Sequence, residues 1–276
     1  MENAVTKKEG TDVQFTDEEL QAMIAKSSNL QQVEASEDGV KADYILLAKP
    51  GSKALKRSEK DLYIEGLQIG DFYIQKDKVN LGHELKVVPL AFLTVYNEKT
   101  GSDRNAQFLG LWNKEQAMEY PLVNGSFFDR QLPNGHILVP SHWVAVEISG
   151  HPEIENAIIA YKSTGSRIFK AWKDDAKKRA ASSATLIYKV AEEAYNNDKY
   201  DWTDIGFTYV GSLLEASKEE TFKCVKKSNE IREAYQNHLL IANRAAVSDI
   251  KDKELPDAKI DAFDTEESYD DEEVGF

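Results

Sequence analysis

The side chains best suited to chemistry lie in one segment, residues 161–179, where cations alternate with aromatic rings. Seven Lys and Arg residues and two Asp residues occur here, together with three aromatic residues. Cations neutralise phosphates and flat rings stack on unpaired bases, so this mixture is typical of surfaces that bind single-stranded nucleic acid. The candidate nucleic-acid-binding residues are Tyr161, Lys162, Arg167, Phe169, Lys170, Trp172, Lys173, Lys177, Lys178 and Arg179.

The same segment also fits a solvated helix that binds nothing. Lys and Arg are common on the wet face of a helix, and Phe169 and Trp172 would then pack in the core. The segment alone supports the two interpretations equally. Gly165 does not indicate a P-loop, because the glycine spacing and the following Lys-Ser/Thr pair of that motif are absent.

Support for catalysis is weaker. Carboxylates and imidazoles that a metal-dependent nuclease would need are scattered through residues 71–153, and surface charge explains them equally well. We therefore expect no enzyme activity, no metal and no cofactor, with a nuclease or nucleic-acid repair enzyme as the alternative. The side chains in question are Asp71, Asp77, Glu84, His136, His142, Glu147, His151 and Glu153.

The C-terminal segment is the second candidate binding element. Residues 261–273 contain eight carboxylates and no cation, a composition that favours disorder. A terminal aromatic ring with its own α-carboxylate can dock into an apolar pocket rimmed by cations, while the preceding acids steer the approach. The predicted partner-binding residues are Asp270, Asp271, Glu272, Glu273, Val274, Gly275 and Phe276.

The net charge of −14 is concentrated at the two ends of the chain. Residues 1–40 carry a net charge of −6 and residues 249–276 a net charge of −9, which leaves 28 basic and 27 acidic side chains in residues 41–248. A nearly neutral body is compatible with a nucleic-acid partner, although the charge of the whole chain would argue against one.

Cysteine content and hydropathy point to an intracellular protein. Cys224 is the only cysteine, so we expect neither disulfides nor a thiolate metal site, and we expect its thiol to lie in the core of a helical region. The chain has no apolar run of about 18 residues that would span a membrane. The N-terminus lacks the apolar stretch of a signal peptide. The expected location is the cytoplasm, with no membrane partner.

Three ranges of different character must position these residues. We expect residues 1–40 to be a weakly ordered acidic arm with a short helix from Asp17 to Lys26, preceded by a capping box of Thr16 and Glu19. Residues 41–248 form the predicted nucleic-acid-binding body. Residues 249–276 form the predicted disordered acidic tail.

Within the body, short apolar runs separated by Gly, Pro and Asn turns predict strands up to residue 164. A helix is expected from Ile168 to about Asn196, a strand from Trp202 to Leu214, and a closing helix from Ser217 to about Ala246. The predicted class is mostly β with helical insertions (α+β), as an OB-like small barrel with one inserted helix and a long closing helix. The predicted strands include 44–48, 62–64, 72–74, 85–96, 108–112, 137–139, 143–148 and 157–161.

The last residues resemble the tail of bacterial single-stranded DNA-binding proteins, which closes with acids, Ile, Pro and Phe. Here Glu273 and Val274 are followed by Gly275, where that family has Pro, and then by Phe276. The size of the chain, the inserted helix and the closing helix look more like single-stranded DNA-binding proteins of tailed bacteriophages. That resemblance implies an OB fold, cooperative coverage of single strands, and tail contacts with replication or recombination proteins.

The predicted function is sequence-independent binding and protection of single-stranded DNA during replication or recombination, with the acidic tail recruiting partner proteins. The resemblance also implies the host cytoplasm as location, and a homo-oligomer or a cooperative assembly on DNA. Besides the nuclease alternative, a transcription co-activator or other interaction protein whose acidic ends carry the function stays open.

Overall fold

The computed structural model describes residues 16–28, 40–101, 106–162, 165–196, 201–237 and 240–243. The predicted disordered tail at 249–276, with its partner-binding residues 270–276, and residues 29–39 of the predicted N-terminal arm lie outside this part of the chain. Within it, no helix is long and apolar enough to cross a membrane.

The described part of the chain is mostly β with a few helices, which confirms the predicted α+β class. The helices are α1 (Asp17–Ser28), α2 (Lys114–Met118), α3 (Gly165–Arg179), α4 (Leu213–Ala216) and α5 (Lys218–Gln236). The strands are β1 (Val40–Leu47), β2 (Phe72–Ile74), β3 (Val79–Gly82), β4 (Glu84–Lys99), β5 (Phe108–Asn113), β6 (Arg130–Gln131), β7 (Ile137–Ile148), β8 (Ala157–Tyr161), β9 (Leu186–Asn196), β10 (Asp201–Ser212) and β11 (Leu240–Asn243).

One sheet contains all of these strands and curls into a half-barrel. Its main path runs β10-β9-β4-β7-β8-β1-β2-β3, while β5, β6 and β11 pair with β4, β7 and β1 beside that path. Neighbouring strands are antiparallel except at β1, which runs parallel to β8 and β11. Pro89 lies at a register shift between β4 and β7, as predicted for a proline inside a strand.

Helices cover both faces of the sheet. Side chains alternate between faces along a strand, so Val87 and Val88 of β4 enter different core clusters. Helix α3 packs on the first face through Phe169 and Trp172. Helix α5 packs on the second face through Val225, and α1 packs on α5. The sheet is therefore the middle layer between two helical layers.

Strand β4 has a gap along one edge, and α5 fills it. Residues 84–87 pair with β9 and residues 95–99 pair with β5, so no described strand pairs with that edge between them. There the Ser228 hydroxyl donates to the Leu90 carbonyl and the Tyr235 hydroxyl donates to the Thr94 carbonyl. Arg232 lies between Ser228 and Tyr235 on the same side of the helix, because positions four and seven residues apart share one face.

The predicted helix from Ile168 to about Asn196 was wrong in its second half. Helix α3 ends at Arg179, and residues 186–196 form β9, which pairs with β4 and β10. Leu186, Val190 and Ala194 are four residues apart. This spacing fits one face of a helix, and it also fits one face of a strand, because every second side chain of a strand lies on the same face. Burial of Leu186, Tyr188 and Val190 shows that the period is two.

Three smaller expectations also differ from the structure. The closing helix ends at Gln236, and residues 240–243 form β11 beside β1 rather than continuing the helix. Residues 62–64 lie in a loop, where Ile64 is buried in a small separate cluster. Both α2 and α3 interrupt the strand series, where one inserted helix was expected.

The N-terminal cap of α1 is confirmed. The Thr16 backbone N–H donates to Glu19 Oε2 at 2.9 Å, and the Glu19 backbone N–H donates to Thr16 Oγ1 at 3.2 Å. Cys224 is buried in α5, and burial raises the pKa of its thiol to about 12. The expectation of a thiol in the core of a helical region is thereby confirmed as well.

Candidate nucleic-acid interface

The three aromatic side chains of the predicted binding segment point into the core. Tyr161, Phe169 and Trp172 are 1%, 6% and 0% exposed. Trp172 stacks on Phe207 with ring centroids 5.4 Å apart, and the Tyr161 hydroxyl donates to the Ile205 carbonyl at 2.9 Å. Rings buried in this way present no face to a base. In this structure these rings pack α3 against the sheet.

The cations of the segment remain at the surface and are distributed around α3. Lys170, Lys173 and Lys177 are exposed and stand three and four residues apart, so they form a ridge along one flank of the helix. Arg167 and Lys178 are exposed on its outward face, and Lys162 is exposed just before the helix. We call Lys170, Lys173 and Lys177 the α3 ridge.

Arg179 lies on the opposite flank and is engaged with the sheet. Its Nε and Nη2 donate to Asp175 at 2.7 and 2.9 Å, and its guanidinium lies 4.0 Å from the ring centroid of Tyr209. Asp175 also accepts a bond from the Tyr188 hydroxyl at 2.8 Å. The bonds from Arg179 lower the pKa of Asp175. These contacts give Arg179 a role in holding the end of α3 on β9 and β10.

A chain of contacts links α2, α5, β4 and β7 beside the α3 ridge. The Lys114 backbone N–H donates to the Tyr235 hydroxyl at 3.1 Å, and that hydroxyl donates to the Thr94 carbonyl. The Thr94 hydroxyl lies 3.1 Å from His142 Nδ1. The His142 ring in turn stacks on Phe169 of α3, with centroids 4.8 Å apart. Elements far apart in sequence thus meet at one place, one turn of α3 away from Lys173.

Basic side chains from these elements are close enough to perturb one another. Desolvation lowers the pKa of Lys173, and the charges of Lys177, Lys114 and Arg232 lower it further, while Asp174 opposes them. Because a charge shifts a pKa only from nearby, Lys177, Lys114 and Arg232 lie in the surroundings of Lys173.

His142 belongs to the same site. Burial lowers the pKa of its imidazole, and the ammonium groups of Lys173 and Lys114 lower it further, so the ring is neutral at pH 7. We call Lys114, His142, Lys173, Lys177 and Arg232 the cationic cluster. It combines residues of α2, β7, α3 and α5 and contains four cations, and positive charge is the property that attracts phosphates.

Arg232 is the buried member of the cationic cluster. It is 7% exposed, and burial lowers its pKa to about 10, so the guanidinium keeps its charge at neutral pH. A guanidinium presents several N–H groups in a plane that matches the oxygens of a phosphate. Arg232 lies on the side of α5 that faces the gap in β4, where the Ser228 and Tyr235 hydroxyls hold the helix.

Only part of the cationic cluster belongs to the segment singled out from the sequence. Lys173 and Lys177 were predicted there, His142 was considered only as a metal ligand, and Lys114 and Arg232 were missed. The one local signal for Arg232 is its position between Ile231 and Ala234, both of which are buried. A cation at a core-facing helix position is uncommon and is often functional.

The side chains of the nuclease alternative are not brought together. Most of them form separate pairs, and no group of three or more metal-binding side chains occurs among the residues that the structure describes. Bonds from His136 and Trp112 lower the pKa of Glu98 despite the desolvation that opposes them. The pairs are Asp71 with His83 (3.0 Å), Glu84 with Lys189 (3.0 Å), Glu98 with His136 (2.7 Å), Glu147 with Lys227 (2.6 Å) and His151 with Glu153 (3.0 Å).

Comparison of the chain with protein families, curated proteins and solved structures finds no match.

Proposed function

We propose that this protein binds single-stranded nucleic acid, DNA in the first place, without sequence preference. The observation that carries the proposal is the cationic cluster, in which Lys114 of α2, Lys177 of α3 and Arg232 of α5 lie in the surroundings of Lys173, and Lys173 and Lys114 lie near His142. Phosphates occur at every nucleotide, so cations that bind phosphates hold any sequence equally well.

Burial of the aromatic residues of segment 161–179 changes how the strand would be held. Tyr161, Phe169 and Trp172 are buried in the core between α3 and the sheet. The cationic cluster and the exposed cations of α3 would therefore contact the strand through its phosphates. Affinity should therefore fall steeply as salt rises, with a log–log slope of about −0.7 for each phosphate neutralised on a single strand. The four cations of the cationic cluster, taken alone, correspond to a slope of about −3.

The finer expectations belong to the same proposal. They are an OB-type barrel, protection of DNA during replication or recombination in the host cytoplasm, assembly of several copies on one strand, and recruitment of partner proteins by residues 270–276. The curled, mostly antiparallel sheet with α3 inserted after β8 supports the first of these. The run of acids before the terminal Phe276 supports the last.

A salt series tests the proposal. Fluorescence anisotropy of labelled oligo-dT would be measured with the wild-type chain and with the variants Lys173→Gln and Lys177→Gln. We expect each variant to weaken binding at low salt and to reduce the salt slope by about 0.7, because one phosphate contact is lost.

The matched control is Lys223→Gln, which removes an exposed lysine of α5 that pairs with Glu219 at 2.7 Å. Its binding should equal that of the wild type. Absence of wild-type binding at low salt would remove the proposal, and an equal loss in Lys223→Gln would show that only the overall charge matters.

A further inference from the structure

Two phenylalanines stand almost entirely in solvent on one loop. Phe127 and Phe128 are 76% and 65% exposed, although phenylalanine is among the residues most often buried. Their ring centroids are 6.4 Å apart and the planes are tilted by 57°, so the rings do not stack on each other. Unlike the buried aromatic residues of α3, these two rings have faces that a ligand can reach.

The loop that carries these rings, residues 119–129, is held in shape by its own hydrogen bonds. The Val123 N–H donates to the Asp129 carbonyl at 2.9 Å, and the Ser126 N–H donates to the Val123 carbonyl at 2.9 Å. The Ser126 hydroxyl accepts from the backbone N–H groups of Phe128 and Asp129 at 3.2 and 2.9 Å. A preformed loop loses little conformational entropy when it binds, so the rings are ready to receive a ligand.

The same loop is directly joined to the cationic cluster through α2. Lys114 begins that helix and Met118 ends it, which separates their backbones by about 6 Å along the helix axis. At the far end Arg130 Nη2 lies 3.0 Å from Met118 Sδ and Nη1 donates to the Tyr120 carbonyl at 3.1 Å. Helix α2 therefore connects the phosphate-attracting site with the exposed rings.

We propose that Phe127 and Phe128 stack on unpaired bases of the strand whose phosphates bind the cationic cluster. The inference rests on the proposed function and adds to it a second contact of different chemistry. The residues next to the rings are polar, namely Asn124, Ser126 and Asp129, and rings with polar neighbours match single bases better than a continuous apolar interface. Stacking accepts any base, so the binding stays independent of sequence.

The test compares two labelled strands of equal length, oligo-dT and an abasic strand with the same phosphates, by fluorescence anisotropy with the full chain. In the double variant Phe127→Ala, Phe128→Ala we expect affinity for oligo-dT to fall at least about 5-fold, the effect of losing one stacked base. Affinity for the abasic strand and the salt slope on both strands should stay at the wild-type values. The double variant Phe127→Tyr, Phe128→Tyr should retain binding to oligo-dT.

Val210→Ala is the matched control, since Val210 is a half-exposed apolar residue on β10, outside the loop. It should bind both strands like the wild type, and all variants should melt at the wild-type temperature because the exchanged side chains are exposed. Equal affinity of wild type and Phe127→Ala, Phe128→Ala for oligo-dT would overturn the inference and leave the proposed function intact. An equal loss on both strands would also overturn it, because base stacking cannot explain a loss on an abasic strand.

Two further outcomes would also overturn the stacking role. Wild-type protein that binds neither strand would refute the proposed function itself, and the stacking role with it.

Met118 and Leu122 are also half-exposed at the base of the loop, as in a protein-docking site. A double alanine variant that binds oligo-dT normally but loses a protein partner would assign the loop to protein docking.

Discussion

Burial lowers the pKa of both Arg232 and His142, but only the His142 side chain is uncharged at pH 7 as a result. Arg232 keeps its charge at pH 7, because its pKa of about 10 remains well above neutrality after burial. His142 starts near neutrality, and burial with the neighbouring Lys173 and Lys114 charges lowers its pKa further, which leaves it uncharged. The cationic cluster therefore contains four permanent cations and one imidazole that gains a proton only in acid.

The first prediction concerns the pH dependence of stability that His142 causes. Since its pKa is lowered from 6.5 in the folded chain, the unfolded chain binds the proton more readily, and stability falls as the pH drops below about 6.5. In His142→Gln this contribution is absent. Urea unfolding at pH 7.0, 6.0 and 5.0 should show the wild type losing stability relative to the variant in acid.

The comparison isolates His142, because every other residue is the same in the wild type and in His142→Gln. A difference in unfolding free energy that does not change with pH would contradict the assignment of a lowered pKa to His142.

At the scale of elements, α5 lies along the gap in β4, at the edge where a neighbouring strand would otherwise pair. The Ser228 and Tyr235 hydroxyls bind carbonyls that a neighbouring strand would otherwise satisfy. A buried carbonyl without a donor is costly, so these bonds fix where α5 lies on the sheet. The position of Arg232 beside α2 and α3 follows from that docking.

Removal of the Tyr235 hydroxyl should therefore destabilise the fold. Tyr235→Phe leaves the Thr94 carbonyl without its donor and the Lys114 N–H without its acceptor. We expect a loss of about 1–3 kcal/mol in the free energy of unfolding, measured by urea denaturation.

Tyr63→Phe is the control, because the Tyr63 hydroxyl accepts an exposed, 3.4 Å bond from Arg57 and should contribute little. Equal stabilities of Tyr235→Phe and Tyr63→Phe would show that the hydroxyl at the gap does not fix α5.

Some elements could be predicted from sequence because their signals are local. Strands β1, β2, β4, β5, β8 and β10 follow from apolar runs between turn residues, and α1 follows from its capping box. Strand β9 was missed because residues four apart share a face in both a helix and a strand, and only pairing with β4 and β10 decides between them. For the same reason the end of α5 depends on β11 finding β1.

At the scale of the whole molecule, the charge is divided between a nearly neutral body and two acidic ends. Residues 249–276 carry a net charge of −9, which leaves −5 on residues 1–248 of a chain whose total is −14. The acidic ends repel a polyanion over distances comparable to the Debye length, while the cationic cluster attracts it at close range. On the proposed function, the affinity for a strand is set by the balance of this repulsion and this attraction.

Truncation after Ser248 should shift that balance toward binding. We expect affinity for oligo-dT to rise by about 10-fold at low salt and the gain to disappear at high salt, because screening removes the long-range repulsion. Anisotropy titrations of the truncated and full chains at several salt concentrations measure this. Weaker binding of the truncated chain at low salt would mean that residues 249–276 contribute favourably to strand binding.

The sequence by itself determined the charge division, the mostly β class and the presence of a helix over the cations of residues 168–179, since each depends on composition or on local periodicity. Only the tertiary structure decided which side chains of 161–179 face solvent, because the same helical spacing is compatible with aromatic residues turned outward or inward. It also decided that Lys114, His142 and Arg232 join Lys173 and Lys177. That convergence depends on the sheet gap that α5 fills, a contact between distant parts of the chain that no local pattern encodes.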